Sequence, residues 1–321
     1  MCKSIHGRYL RGFGRPFLVV LVMLVLSPGE TVTATHQVAH CRPVPADAAF
    51  PSDFPVLRDQ EWEYRIGGWG GLAKGHPLRR QPVIFVHGNT RDANDWDEPG
   101  RSVKQRFLEA GYSMQELWAL SYNGKTTQEL PSALQCRTAN EPNVPDLAAF
   151  VKTVLAYTGA PNVDLIAHSL GVTVARSMLA EHPDLSQVVE DFVAIAGPNH
   201  GTTVCRRLWL IWFMGWKEFT GCDELAPGSA WLRNLNGSRG EREATGPARY
   251  MTLYDGTGVD PLYLPWLFFL PVQDQDSPAL KGAENRRLPG LIHDELRTHK
   301  EAISLYLNFV QAQNNLPSRN Q

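Results

Sequence analysis

The chain has 321 residues, 43% of them hydrophobic and 20% charged, with a formal net charge of -2. That is long and apolar enough to bury one large core. Its charges lie without long runs of one sign, which excludes the basic footprint of a nucleic-acid binder.

The N-terminus reads as an export signal over residues 1–34. Lys3, Arg8, Arg11 and Arg15 form a basic start, and Phe17 to Leu26 is an unbroken apolar run. That run is about half of the ~20 residues a bilayer-spanning helix needs. Val32-Thr33-Ala34 offers small residues for cleavage and a mature start near Thr35; an uncleaved N-terminal anchor is the competing reading. Export removes Cys2 and leaves Cys41, Cys136, Cys205 and Cys222, an even number suited to two disulfides in an oxidising compartment. Of the three possible pairings, Cys205–Cys222 with Cys41–Cys136 is favoured, because the first would staple one local loop. None of the four lies in a C-x-x-C pair, so a structural zinc site lacks its spacing.

Residues 35–80 are rich in Pro and Gly and read as an arm with one or two edge strands. From residue 81 to about 315, apolar runs of strand length alternate with helical patterns, the signature of βα units and a largely parallel sheet with helices on both faces; residues 316–321 are a tail. The strands expected are Pro82–Val86, Glu116–Tyr122, Val163–Ala167, Val189–Ala196, Arg249–Tyr254 and a last one near Arg287–Ile292. A helix is expected after Pro145, with Leu147, Phe150, Val151, Val154 and Leu155 on one face and Gly159 as its stop. Others are expected over Leu170–Leu179 and Asp294–Val310. Two apolar segments, Leu208–Phe219 and Pro261–Val272, break this rhythm and show no clean amphipathic period.

Between the strand Val163–Ala167 and the helix opening at Leu170 lies Ala167-His168-Ser169-Leu170-Gly171. It fits the G-x-S-x-G nucleophile elbow, with Ala for the first Gly. A sharp strand-to-helix turn requires small residues two before and two after the serine. It also leaves the Leu170 N–H, at the positive helix end, aimed at a developing oxyanion. Val86-His87-Gly88-Asn89 follows the early strand and offers Asn89 N–H as a second oxyanion donor, with His87 read as a structural hydrogen-bonder. With a nucleophile elbow of this kind the chain order is Ser, then Asp or Glu, then His, so the base comes last, and His293 is chosen. His299 is expected to face solvent inside the last helix, His168 to point into the sheet, and His182 and His200 to serve turns. For the acid, Asp260 is preferred and Asp255 is the reserve; Asp274 and Asp276 read as capping or solvated carboxylates. Asp92, Asn94, Asp95, Asp97 and Glu98 fail the EF-hand spacing and read as a solvated or capping loop, with no metal expected.

The segments VIFVHGN, LIAHSLG, AIAGPNHGT (Ala194–Thr202), ELAPGSAWLRNLN (Glu224–Asn236) and SPALKGAENRRLPGLIHDEL together resemble the class 2 bacterial-type lipases. The longer form, with DGTGVDP and acidic residues after HGN, also resembles secreted polyhydroxyalkanoate depolymerase-like lipases. The likeness covers roughly Gln81 to Val310. It implies an α/β-hydrolase fold, no cofactor, and ester hydrolysis by a Ser169–Asp260–His293 triad with an acyl-enzyme. The extra apolar stretch after the acid loop is where this chain departs from shorter relatives. Trp209, Trp212, Phe213, Trp216 and Trp266 are read as a hydrophobic substrate wall that meets an acylglycerol, a short-chain ester, or a lipid or polymer surface. The rival readings are an extracellular polyester depolymerase and a non-catalytic lipid- or polymer-binding protein of the same fold; oligomeric state is left open. Asn236-Gly237-Ser238 is a glycosylation acceptor pattern.

Overall fold

A computed structural model describes residues 45–60, 63–122, 140–206, 221–267 and 270–314, all within one compact unit, His40–Gln321. The export signal, the Cys41–Cys136 pairing and the aromatic segment with Trp209, Trp212, Phe213 and Trp216 lie outside the described residues. Among the described residues, no helix is long and apolar enough to cross a membrane.

Among the described residues there are ten strands: β1 Ala48–Ala49, β2 Gly67–Gly70, β3 Val83–Val86, β4 Leu117–Ser121, β5 Val163–His168, β6 Val189–Ile195, β7 Arg249–Tyr254, β8 Trp266–Leu267, β9 Leu270–Pro271 and β10 Glu284–Arg287. Eight form one sheet in the order β1-β2-β4-β3-β5-β6-β7-β10, and β8 and β9 form a separate antiparallel pair. Every pairing in the large sheet is parallel except β2 with β4. The arm therefore supplies an edge strand, β1, and an interior one, β2.

β3, β4 and β5 are buried along their whole length, as continuous Val/Ile/Leu/Phe runs must be when helices cover both faces. Successive side chains point to opposite faces. Ile84, Val86, Leu165 and Ala167 join one core with Phe150, Val151 and Val154 of helix Val144–Thr158 and with Val174 and Met178 of helix Leu170–Glu181. Val83, Phe85, Ile166 and Val193 join the other with Phe107, Ile303, Tyr306 and Val310. The helix Val144–Thr158 carries Pro145 in its first turn and stops at Gly159, which takes the left-handed conformation.

Two expectations near the C-terminus are corrected. The last strand is Glu284–Arg287, not Arg287–Ile292: Pro289 and Gly290 (φ 88°) turn the chain, so Leu288, Leu291 and Ile292 belong to a loop. The single helix expected over Asp294–Val310 is two, Glu295–Thr298 and Lys300–Asn314, parted where His299 takes an extended conformation (ψ 138°). His299 donates its N–H to Glu295 O and accepts that of Ile303, so it joins the two pieces and is half-buried rather than facing solvent.

The N-terminal ends of β5, β6 and β7 carry ionisable groups, Asp164 and Asp191 buried and Arg249 half-buried. Arg249 grips Asp191 with two bonds of 2.8 and 2.6 Å, reaches Phe309 O at 2.9 Å and lies over the Phe309 ring, tying the last helix to the sheet. Asp191 N–H donates to Asp164 Oδ1 at 3.2 Å. Burial, then the charges of Asp191 and Glu190, push the Asp164 carboxyl well above its ordinary range. A raised carboxyl stabilises the fold most below the unfolded-state value of about 4, and its contribution is lost as pH rises from there. Asp164→Asn is therefore expected to leave stability nearly unchanged at pH 4 and to raise it at pH 8, read as the denaturant midpoint at the two pH values. A drop at pH 8 would show that the carboxyl is ionised and paired.

Candidate active site

All the sequence-chosen polar residues that fall within the described chain gather beyond the C-terminal ends of the parallel strands. Ser169 follows β5 with φ 56° and ψ −129°, a conformation that costs a non-glycine residue about 1–3 kcal/mol. Its N–H donates to Ile195 O at 2.8 Å, which fastens the turn to β6. A Cβ on Gly171 would stand 2.3 Å from His87 O, and one on Gly88 would stand 2.9 Å from Ser169 Cβ. The chain after β3 thus lies directly against the serine turn, and both glycines are there because nothing larger fits. Leu170 opens the helix, where the N–H has no intrahelical acceptor. Asn89 sits next to Gly88, half-buried, with Thr90 following at φ 62°. His87 is buried, stacked on Tyr122 at 4.0 Å, and its carbonyl accepts from Tyr122 OH at 2.5 Å, a supporting arrangement.

His293 lies in the loop between β10 and the helix Glu295–Thr298. Its Nδ1 is 2.8 Å from Asp260 Oδ2, and Asp260 is wholly buried. His293 Nε2, on the ring edge away from Nδ1, is buried and has no hydrogen-bond partner among the described residues. Asp260 Oδ1 accepts Leu262 N–H at 3.0 Å, and Tyr263 N–H bonds back to Asp260 O at 3.0 Å. Asp255 does not meet the imidazole. It organises its own loop, accepting from the N–H groups of Thr257, Gly258, Val259 and Gly290 and from Thr257 Oγ1. Burial alone would raise its carboxyl, but these hydrogen bonds outweigh that and hold it at about 2.

Sequence reasoning missed several supports of this site. His168 is buried, and its Nε2 lies 3.0 Å from His293 O. Arg91 pairs with Asp294 at 2.6 Å, joining the chain after Asn89 to the residue after His293. Tyr263 OH donates to Ala196 O at 2.7 Å, holding a non-glycine residue at φ 48° where β6 ends. Buried Arg176 reaches Glu243 O, Asn199 Oδ1 and Asn236 Oδ1, while Asn236 Nδ2 donates to Asn199 O. This cross-link ties PNHGT to the LRNLN helix, and a charged residue amid an otherwise small and apolar helical face was the signal for it. It also engages both polar atoms of Asn236, so the glycosylation acceptor is occupied within the fold.

The remaining polar residues take structural work. Asp274 accepts from the N–H and hydroxyl of Thr203, and Asp276 pairs with Arg287. His200 bonds Ser277 O and Glu243. Asp92 caps the 3-10 turn Ala93–Asp97, Asp97 pairs with Lys104, and Asp95 lies 3.9 Å from buried Arg297. Burial, only partly countered by Arg297 and Arg91, lifts the Asp95 carboxyl to about 6. Cys205 and Cys222 form a disulfide.

The sheet order and the serine turn define an α/β-hydrolase fold. Solved structures agree: the mature form of Bacillus licheniformis lipase BlEst2 aligns with a TM-score of 0.56 at 17% identity, covering 76% of this chain and 97% of that one. Aspergillus fumigatus lipase B aligns with a TM-score of 0.52 at 18% identity, covering 72% of this chain and 52% of that one. The family described as Lipase (class 2) matches residues 80–255, more than half of the chain, and the chain belongs to that family. Lipase 3 of Drosophila melanogaster is 30% identical over 53% of this chain and 45% of its own length. A triacylglycerol lipase of Pseudomonas fragi is 27% identical over 49% of this chain and 48% of its own. The matches thus span about half the length of these relatives.

The two acidic residues are expected to separate in experiment. Asp255 is held below its ordinary value, so its contribution is full above pH 4 and is lost as pH falls towards about 2. Asp255→Asn should cost on the order of 1–2 kcal/mol of stability at pH 7, flatten the acid-unfolding curve between pH 4 and 2, and leave more ester-hydrolysing activity than Asp260→Asn. The reverse ranking of activities would exchange their roles.

Proposed function

We propose that this protein hydrolyses carboxylic esters with a hydrophobic acyl part, with Ser169 as nucleophile, His293 as general base and Asp260 as its orienting acid. The observation that carries this reading is the 2.8 Å contact between His293 Nδ1 and Asp260, residues from two loops of the same strand-end rim as Ser169. A buried carboxylate on Nδ1–H fixes the tautomer that leaves Nε2 as the proton acceptor, and stabilises the imidazolium once it forms.

In the proposed reaction Ser169 Oγ adds to the ester carbonyl as its proton passes to His293 Nε2. The oxyanion is held by the N–H groups of Asn89 and Leu170, each worth about 3 kcal/mol in the transition state. Collapse expels the alcohol, which takes the proton from His293. Water then attacks the acyl-enzyme by the same route and releases the acid. The apolar acyl preference is supported by exposed residues beside this machinery: Val259 (49% exposed) precedes Asp260, Ile292 (46%) precedes His293, and Trp266 (59%) stands on the short β8–β9 hairpin. It is also supported by the name of the Pseudomonas fragi relative. We further propose export, for which the N-terminal basic and apolar run and the Cys205–Cys222 disulfide speak.

Purified protein is expected to hydrolyse a p-nitrophenyl ester series from acetate to palmitate, with triolein and polyhydroxybutyrate alongside to distinguish esterase, lipase and depolymerase preference. Ser169→Ala and His293→Ala should each lower kcat/KM by about ten-thousand-fold or more without unfolding the protein, and Asp260→Asn by a similar order. Turnover that survives Ser169→Ala would defeat the nucleophile assignment. A folded protein inert on every ester would favour a lipid- or polymer-binding role.

A further inference from the structure

The reaction as drawn leaves one buried imidazole without a task. His168 is the last residue of β5 and pairs in register with Ile195 of β6, the residue whose carbonyl also holds Ser169 N–H. Its ring is therefore anchored to the same strand end that carries the nucleophile. It reaches across to the other loop: Nε2 lies 3.0 Å from His293 O, and the two rings stand 4.7 Å apart, tilted by 46°.

We infer that His168 is a positioning residue whose Nε2–H, donated to the His293 carbonyl, sets the distance between the His293 ring and Ser169; this rests on the nucleophile and base assigned above. A carbonyl oxygen can only accept, so the bond requires the proton on Nε2. Burial, with the neighbouring His293 and Arg297 as further positive groups, holds His168 well below the usual histidine range, so the ring is neutral with that single proton. Nδ1 is then a bare acceptor, buried and without a partner among the described residues. An unpartnered buried nitrogen costs folding free energy, so packing alone would favour an apolar side chain here, and the bond at Nε2 is what the histidine supplies.

His293 needs such a tie. It lies in a loop, and Asp260 fixes only one edge of its ring. The ion pair of Arg91 with Asp294 steadies the next residue from a half-exposed side chain. The bond from His168 acts on the His293 main chain itself, so ring and backbone are each held at one point. A displacement of about 1 Å between reacting groups can cost about a hundredfold in rate.

The test compares His168→Leu, which removes the donor, with His168→Gln, whose amide nitrogen falls near the position of Nε2. On p-nitrophenyl butyrate, His168→Leu is expected to lower kcat about 10- to 100-fold while KM moves less than about threefold, and His168→Gln to recover most of the loss. The low-field proton resonance of the His293–Asp260 bond should broaden or shift in the Leu variant and return in the Gln variant. In the unmutated protein, nitrogen-15 NMR of the histidines should find His168 neutral and protonated on Nε2. An unchanged kcat in folded His168→Leu, equal losses in the two folded variants, or an Nδ1-protonated His168 would overturn the assignment. The NMR arm decides it even where His168→Leu fails to fold. Survival of activity in Ser169→Ala would instead strike the underlying reading, whatever the His168 variants do.

Discussion

The backbone of Ser169, forced to a positive φ between a parallel strand and a helix, is the constraint on which the rest of the structure hangs. The turn exists because β5 and β6 are parallel and in register, so that Ile195 O is available to Ser169 N–H. It also exists because the chain leaving β3 crosses close enough to touch it, which Gly88 and Gly171 allow. The strain persists because the surrounding strands over-determine it. Its yield is geometric: the serine side chain projects from the sheet beside the first N–H groups of a helix.

The other chemical groups sit on loops, which have no ladder of their own to hold them, and each loop is pinned to the sheet or to its neighbour by polar contacts. Tyr263 ties the segment after Asp260 to the end of β6. Arg91 ties the segment after Asn89 to Asp294. Arg176 ties the PNHGT turn to the helix Ala230–Asn236 from within the helix that Ser169 begins. Polar contacts suit this work because their direction and length are fixed, whereas apolar packing tolerates sliding. Together they make one rim out of segments far apart in sequence.

Most of the sheet was legible in the sequence because its strands are buried on both faces and announce themselves as apolar runs; Arg249–Tyr254 was read to the residue. β10 was not, since Glu-Asn-Arg-Arg is exposed throughout and carries no hydrophobic pattern, while the apolar Leu288, Leu291 and Ile292 beside it mimic a strand that Pro289 and Gly290 prevent. The break at His299 was hidden because the apolar spacing continues across it. The tight turn at Ser169 and the loop position of His293 were readable from local context, small residues between a strand and a helix and a histidine just before a helix. The choice between Asp260 and Asp255 was not, because both follow β7 within six residues and only the folded loop shows which one turns to the imidazole. Arg176, Tyr263 and His168 act through partners 23 to 125 residues away, distances over which one sequence carries no pairing signal.

The ionisable side chains of Asp164, Asp191 and Arg249 lie at the opposite end of the strands from Ser169, and about five residues of chain separate Asp164 from it by about 16 Å. Changes at sites so far apart, with no shared partner, combine additively to a first approximation. The protein is thereby modular along its strands: stability at high pH can be retuned at one rim without disturbing the serine turn at the other, and two such changes can be made in separate steps.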